Sequence, residues 1–185
     1  VFGVRFTAKK PLRTWMDLTS ADKALGLRWA LELIRRGLLV NPRFIEVHRL
    51  GTFPERSLDI DVVFDLMIHD LDVVLSLVPA EVESIEAVGV PVLTGRVDIA
   101  NARIRFANGC IANLTASRIS RDRVRKIRFF QPAAYLSIDY AAQKIEMWRL
   151  TQQGDARPSI QGGDLPVTPE EPLPASSPLW DLPNT

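Results

Sequence analysis

The sequence contains a single cysteine, Cys110, so no disulfide can form within the chain. It also contains no uncharged apolar run of about 18 residues, which a membrane-spanning helix requires, and no segment typical of a signal peptide. The neighbours of Cys110 are mostly apolar, as expected for a small buried hydrophobic residue. These absences favour a cytoplasmic protein without membrane partners.

None of the ten glycines belongs to a G-x-G-x-x-G pattern. That pattern joins a strand to a helix in dinucleotide-binding domains, because it lets backbone N–H groups approach the pyrophosphate. No cofactor-binding Rossmann half is therefore recognisable. Charge of one sign is also lacking, since 23 basic and 22 acidic residues leave a net charge of +1. This balance indicates no strongly charged partner.

The stretch 61–78 concentrates the groups that could do chemistry. It contains no glycine or proline and is too long for a typical strand, so it predicts a helix. Five polar residues fall on one stripe of that helix: Asp61, Asp65, His69, Asp72 and Ser76. Nearly all its other residues are apolar, which predicts a helix buried almost all round, with the polar stripe lining a crevice.

His69 lies one helical turn from both Asp65 and Asp72. A carboxylate at that distance can orient an imidazole and raise its pKa, as a histidine general acid/base requires. Two alternatives remain, namely a structural Asp–His pair in an interior helix and a metal site. The metal site ranks lower, because His48 is distant in the sequence and no cysteine cluster exists.

Most of the remaining chain predicts strands, because it is rich in β-branched and aromatic residues. The predicted strands are 1–7, 44–50, 82–92, 98–106, 110–118, 126–131, 134–140 and 144–150. A helix is predicted over 20–37, ending at Gly37. We therefore predict an α+β fold, in which a mostly antiparallel, open-faced sheet of about six strands carries a few helices on one face.

Five arginines and one lysine lie between residues 118 and 128, against a single aspartate. They are Arg118, Arg121, Arg123, Arg125, Lys126 and Arg128. One interpretation is a solvated loop and strand edge. The other is an anion site, since guanidinium groups bind phosphate and carboxylate with two parallel hydrogen bonds. Nucleic acid is not favoured as a partner, because the cluster is short and contains no stacking aromatic residue.

The segment from 41 to about 140 resembles the C-terminal domain of the GFO/IDH/MocA oxidoreductases, the family of glucose-fructose oxidoreductase and inositol dehydrogenase. The resemblance rests on PRFIEVHRLGTF, DVVFDLMIHDLDVVLSLV, VDIANARIRFANGCIANLTASRIS and RKIRFFQPAAYLSIDY. It implies that Asp65 and His69 form the family's Asp-x-x-x-His motif, whose histidine is the acid/base that faces the nicotinamide of NAD or NADP. With a sugar or nucleotide sugar as substrate, Asp72, Arg118 and Lys126 are the substrate-binding candidates.

The resemblance divides the chain into three parts. Residues 1–40 form a strand–helix lead-in, interpreted as a remnant of the cofactor domain; 41–150 form the substrate and oligomerisation domain; 151–185 form a Pro-rich tail, predicted to be extended and partly mobile. In the family a Glu-Lys-Pro motif contributes a lysine to the reaction centre. If that motif is retained here, Lys10 is its lysine and Lys9 replaces the glutamate; the alternative is a surface Lys-Lys pair before a turn.

Three functional hypotheses follow. The first is the substrate-binding and catalytic-histidine domain of an NAD(P)-dependent sugar oxidoreductase, which transfers hydride between a carbinol and the nicotinamide and is inactive as this isolated chain. The second is a non-enzymatic module that binds sugar or oligomerises. The third is a metal-dependent Asp/His hydrolase; the first two need no metal. Because the family's open sheet mediates self-association, the resemblance also implies a homodimer or tetramer.

Overall fold

The computed structural model describes residues 3–6, 33–34, 37–39, 41–53, 59–151 and 159–165. This part of the chain forms one sheet of nine strands. The strands are β1 (Gly3–Phe6), β2 (Phe44–Leu50), β3 (Val82–Val90), β4 (Ile99–Phe106), β5 (Ile111–Ser117), β6 (Val124–Gln131), β7 (Ala134–Asp139), β8 (Lys144–Thr151) and β9 (Ser159–Leu165). Between β2 and β3 lies the helix α1 (Ile68–Leu77), directly preceded by a π-helical turn (Val63–Met67).

The strands lie in the order β1-β3-β4-β5-β2-β6-β7-β8-β9. β2 and β5 are parallel, and every other neighbouring pair is antiparallel. The chain leaves β2, forms the helix and returns through β3 and β4 to β5, since parallel neighbours need such a crossover. β2 therefore lies in the middle of the sheet, with the helix beside it.

The predicted α+β fold with a mostly antiparallel sheet is confirmed, but the predicted number of about six strands is wrong. β9 contributes to the difference, because it lies in the segment that the prolines led us to predict as an extended tail. It pairs with β8 at the edge of the sheet, where half-exposed strands carry little hydrophobic alternation. The parallel pair was also not predicted, because strand direction depends on the crossover rather than on either strand's own sequence.

Alternation along the strands gives the sheet two different faces. The face under α1, called the covered face, carries the core residues Ile45, Val47, Ala102, Ile104, Leu114, Ile127, Phe129, Leu136, Ile138 and Ile145. The opposite face, called the open face, carries half-buried and exposed side chains, among them Glu46, His48, Arg103, Lys126 and Arg128. In the part of the chain that the structure describes, the helix contacts the covered face alone.

The helix packs one side on the covered face and leaves its other side partly exposed. The buried side consists of Val62, Met67, Asp70, Val73, Val74 and Leu77. On the outer side Phe64 is 56% exposed, and Ile68, Leu71 and Leu75 are only half-buried. The prediction of a helix buried almost all round is therefore wrong, because the apolar residues of this helix also cover its outer side, where nothing among the described residues buries them fully.

The helix predicted over 20–37 lies mostly outside the described residues, but its end is described. Leu33 and Ile34 are helical, and Gly37 has a φ of 66°. The Gly37 N–H donates to the Ile34 carbonyl and the Leu38 N–H to the Leu33 carbonyl, both at 2.8 Å. These are the two hydrogen bonds of a Schellman cap, in which glycine adopts the left-handed conformation without strain. The predicted end at Gly37 is confirmed.

Candidate active site

Three polar residues predicted at the centre of the site lie along the outer side of the helix. Asp65 lies in the π-helical turn, His69 in the first turn of α1 and Asp72 one turn further. All three are half-buried. Spacings of four and three residues bring their side chains to one side of a helix. An imidazole between two carboxylates can take up or release a proton near neutral pH.

Asp61, the first residue of the predicted stripe, belongs to a backbone anchor at the start of the helix. Its Oδ1 accepts a hydrogen bond from the Val97 N–H, and the Val97 carbonyl accepts one from the Val62 N–H, both at 2.9 Å. The Asp61 carbonyl also accepts from the N–H groups of Phe64 and Asp65. The loop between β3 and β4 is thereby tied to the segment that leads into the π-helical turn.

Arg118, predicted to bind substrate, is buried in the interior with 1% exposure. Its Nε donates to Asp98 Oδ1 at 2.9 Å, and its Nη1 donates to the Ile60 carbonyl at 2.6 Å. Its Nη2 lies 3.3 Å from both Thr94 Oγ1 and the Val97 carbonyl oxygen. These contacts join the end of β5 to the β3–β4 loop and to the start of the helix. Arg118 is therefore not retained as a substrate-binding candidate.

Asp98 completes this buried cluster. Its Oδ2 accepts hydrogen bonds from the N–H groups of Val92, Leu93 and Thr94 at 2.8, 2.8 and 2.9 Å. Burial by itself raises the pKa of Asp98, but the backbone N–H groups, the Thr94 hydroxyl and the Arg118 guanidinium together hold it well below its usual range. Asp98 is therefore a carboxylate at neutral pH and balances the charge of Arg118.

A second buried ion pair lies under the helix. Arg49 on β2 donates two hydrogen bonds to Asp70 on α1, from Nη2 at 2.8 Å and from Nε at 2.5 Å. Burial by itself lowers the pKa of Arg49, but the hydrogen bonds and charge of Asp70 raise it above its usual value. The pKa of the neighbouring Tyr140 is raised by burial and by Asp70, against the opposing effect of Arg49. Sequence reasoning missed this pair, although Asp70 on the apolar side of a helix signals a buried partner.

Lys126 lies on the open face, with the sheet between it and α1. Its cross-strand neighbours there are His48 on β2 and Asp139 on β7. The structure therefore does not bring Lys126 together with His69. Nor do Lys126 and the interior Arg118 form a single anion site, because residues of the arginine-rich segment are divided between the interior and the open face.

The remaining predictions for the site concern Lys10 and a metal. Lys10 lies outside the described residues. Within the described ranges, no three His, Cys, Asp or Glu side chains are grouped closely enough to hold a metal ion. In the same ranges, no helix has the length and apolar character needed to cross a membrane.

Several known proteins are similar to this chain in sequence or in fold. The family model of the GFO/IDH/MocA C-terminal domain matches residues 27–131, more than half of the chain. The UDP-N-acetylglucosamine 3-dehydrogenase of Acidithiobacillus ferrooxidans is 42% identical over 162 residues, which cover 79% of this chain and 51% of that protein. The chain thus spans about half the length of this curated relative.

Solved structures share the fold. A structure of the Acidithiobacillus ferrooxidans enzyme superposes with a TM-score of 0.69 at 35% identity, covering 80% of this chain and 49% of that one. A levoglucosan dehydrogenase in complex with NADH and levoglucosan superposes with a TM-score of 0.63 at 17% identity, covering 77% and 45%. At that lower identity the likeness concerns the fold alone. In both cases the matched part is about half of the other chain.

Proposed function

This chain belongs to the GFO/IDH/MocA oxidoreductase family, and we propose that it is the substrate-binding and acid/base part of an NAD(P)-dependent sugar oxidoreductase. The observation that carries the proposal is the spacing of Asp65 and His69 on the outer side of the helix, inside the segment that matches the family. A nucleotide sugar is the substrate class we favour, since the Acidithiobacillus ferrooxidans relative is by name a UDP-N-acetylglucosamine 3-dehydrogenase.

In this proposal His69 accepts the hydroxyl proton when a sugar carbinol is oxidised to a carbonyl, and returns it in the reverse direction. Asp65 orients the imidazole and stabilises its protonated form. Asp72, one turn beyond His69, hydrogen-bonds to hydroxyl groups of the sugar. NAD or NADP supplies the hydride acceptor.

We propose that the described residues do not bind that dinucleotide by themselves. A pyrophosphate needs free backbone N–H groups at a glycine-rich turn or a helix N-terminus. At the start of this helix, the Val62 N–H donates to Val97, and the N–H groups of Phe64 and Asp65 donate to Asp61. We therefore place the cofactor on a part of the protein outside the described residues and assign only the proton step to this chain.

The test joins this chain to the cofactor-binding half of the Acidithiobacillus ferrooxidans relative. We expect formation of reduced nicotinamide that depends on UDP-N-acetylglucosamine, and a loss of about 10²–10⁴ in kcat for His69→Ala. His48→Ala is the matched control, since His48 is the chain's other histidine and lies on the open face, with the sheet between it and the helix, so its loss should leave kcat unchanged. Turnover that survives His69→Ala would contradict the acid/base role. Saturable sugar binding without turnover would support the non-enzymatic module instead.

We also propose that the open face joins two or more copies of the chain into a homodimer or tetramer. Aromatic side chains lie side by side there, with ring centroids of Phe44 and Phe130 separated by 5.9 Å and those of Phe130 and Tyr135 by 5.1 Å. Phe130→Glu should dissociate the assembly in sedimentation equilibrium, whereas Val92→Glu, at an exposed position of the β3–β4 loop, should not. An unchanged mass for Phe130→Glu would reject this surface. We further propose that the protein is cytoplasmic, which its single cysteine favours, since disulfide bonds are rare in that compartment.

A further inference from the structure

One cation of the arginine-rich segment lies on the covered face beside the helix. Along β6, Ile127 and Phe129 are buried on that face. Because side chains alternate between the two faces of a strand, Arg125 shares the covered face with Ile127, whereas Lys126 lies on the open face. Arg125 is half-buried. The predicted candidate Lys126 therefore differs by one position from the cation of β6 that lies on the same face as the helix.

Arg125 is a neighbour of the ion pair that joins the helix to the sheet. In the antiparallel register of β2 and β6 it is directly opposite Arg49, and the Cβ atoms of such neighbours lie about 5 Å apart. Arg49 donates two hydrogen bonds to Asp70, the residue that follows His69 in the first turn of α1. Arg125 and His69 are therefore both immediate neighbours of the same ion pair.

The sense of the crossover places His69 on the side of the helix towards β6. The helix lies against β5, which has β2 on one side and β4 on the other. A crossover between parallel strands such as β2 and β5 is right-handed in nearly all folds. When the helix of such a crossover directs Asp70 at the sheet, the preceding residue, about 100° back around the helix axis, is directed to the β2 side. His69 therefore extends over β2 towards β6, the strand that carries Arg125.

The surroundings of Arg125 favour the binding of an anion. Burial lowers the pKa of its guanidinium, because part of the water that stabilises the positive charge is withdrawn. The adjacent Arg49 is a second cation, and it directs its Nε and Nη2 to Asp70. Water screens the attraction between a cation and an anion less at a half-buried position than on the fully exposed surface. A negatively charged ligand would therefore be bound more strongly by Arg125 than by an exposed arginine.

We propose that Arg125 binds the diphosphate of a nucleotide-sugar substrate whose sugar hydroxyl reacts at His69. This inference rests on the proposed function. In UDP-N-acetylglucosamine the diphosphate and the C3 hydroxyl group are carried by the same sugar ring, so the residues that bind the first and deprotonate the second must lie near each other. A guanidinium suits the diphosphate, because its planar fork forms two parallel hydrogen bonds with phosphate oxygens.

The test uses the chain joined to the cofactor-binding half of the Acidithiobacillus ferrooxidans relative. Arg125→Ala should raise the KM for UDP-N-acetylglucosamine about 10–100-fold, the effect of losing a charge-assisted hydrogen bond. The kcat should stay within about threefold, because the diphosphate is bound equally in the ground state and the transition state. Arg125→Lys keeps the charge but not the planar fork, so its KM should lie between those of the parent protein and Arg125→Ala. In titration calorimetry with UDP alone, the affinity should decrease in the same order.

The matched control is Arg105→Ala, which removes an equal charge from an exposed position of β4 on the open face and should leave the KM unchanged. If Arg125→Ala does not fold, Arg125→Gln replaces it with the same expectation. An unchanged KM and UDP affinity in the folded variant, with a parent protein that oxidises the sugar, would overturn the role of Arg125 alone. A lower kcat with an unchanged KM would also overturn it, because that pattern belongs to a group at the reacting centre. A folded parent protein that does not oxidise UDP-N-acetylglucosamine would instead overturn the proposed function, and this inference with it.

Discussion

Strand β2 contributes an ion pair to each face of the sheet, and the two pairs differ in their environment. On the covered face, the side chains of Arg49 and Asp70 are 5% and 4% exposed. On the open face, those of Arg128 and Glu46 are 34% and 29% exposed. Glu46 and Arg49 point to opposite faces because an odd number of positions separates them. Water screens the pair on the open face and cannot reach the pair under the helix, so the same chemistry has different energetic weight.

This difference shows what distinguishes a structural arginine from a surface arginine in the chain. A charge that is buried without its partner is strongly unfavourable, so a buried pair must be kept or replaced as a unit. The Arg118–Asp98 cluster is the extreme case, because backbone N–H groups and carbonyls also depend on it. Whether an arginine of this chain holds segments of the fold together therefore depends on its position in the fold and not on its residue type.

Asp98→Ala should have the largest effect on stability, and it tests whether buried ion pairs contribute more than the pair on the open face. It would leave the Arg118 guanidinium buried without its carboxylate and three backbone N–H groups without their acceptor. Removing one partner of a buried pair costs about 3–5 kcal/mol. We expect the free energy of unfolding, measured by urea denaturation, to fall by that amount. A loss below about 1 kcal/mol, as for a surface pair, would contradict the comparison.

The carboxylate of Asp98 should also make the stability of the folded protein depend on pH. The pKa of Asp98 is lower in the folded than in the unfolded state, so its stabilising contribution is complete above the unfolded value, near about 4, and is lost as the pH falls towards the folded value. Wild-type protein should therefore lose more stability between about pH 4 and pH 2 than Asp98→Asn, which has no carboxyl group to protonate. Equal losses of stability in acid for the wild type and Asp98→Asn would show that the pKa of Asp98 is not lowered in the folded protein.

Gly89→Ala should have the next largest effect and tests the loop that anchors the helix. A Cβ at Gly89 would lie 2.8 Å from Cγ1 and 3.2 Å from Cγ2 of Val97. Val97 cannot retreat freely, because its backbone holds Asp61 and Val62. We expect a loss of about 1–3 kcal/mol in the free energy of unfolding. Gly95 lies in the loop between β3 and β4, and a Cβ there would meet no atom within 4 Å. Gly95→Ala should therefore change the free energy of unfolding by less than about 0.5 kcal/mol. Equal losses of stability for the two variants would reject the contact between Gly89 and Val97.

Tyr140→Phe should have a smaller effect, and only in alkali. Burial first, and then the Asp70 carboxylate, raise the pKa of Tyr140 above its usual value. The folded protein therefore keeps the phenolic proton to a higher pH than the unfolded chain, and stability is lost as the pH rises above the unfolded value of about 10. Tyr140→Phe should remove this loss while changing the neutral stability by less than about 1 kcal/mol. Tyr135→Phe, on the open face, should retain the loss and serves as the control.

Local signals in the sequence predicted much of the fold. β2 was predicted with its observed bounds, and the predicted strands 98–106 and 110–118 differ from β4 and β5 by at most one position at each end. The turn Asn108-Gly109 lies between them, with Gly109 at a φ of 82°. Alternation and turn residues mark such features within a few positions. The number of strands in the sheet, the parallel pair and β9 were missed, because they depend on contacts between distant segments.

In the candidate site, too, features that depend on local spacing were predicted and features that depend on distant contacts were not. Spacing within one helix was enough to group Asp65, His69 and Asp72. The partners of the buried arginines lie 21 and 20 positions away, so no local pattern could connect them. The π-helical turn was equally hidden: Val62 and Val63 are both valine, and only the structure shows that Val62 is the buried one.

Glu46→Ala should have the smallest effect and tests the open side of the comparison. It removes the 2.7 Å contact with Arg128, and a screened pair of this kind contributes at most about 1 kcal/mol. A double-mutant cycle with Arg128→Ala should give a coupling within that limit, which decreases at high salt. A coupling of several kcal/mol would contradict the contrast between the two ion pairs, because it would mean that the Glu46–Arg128 pair is also shielded from water. Repeating the cycle at a protein concentration where any assembly dissociates would then decide the cause: a coupling that falls on dilution would mean that a second copy of the chain covers the open face.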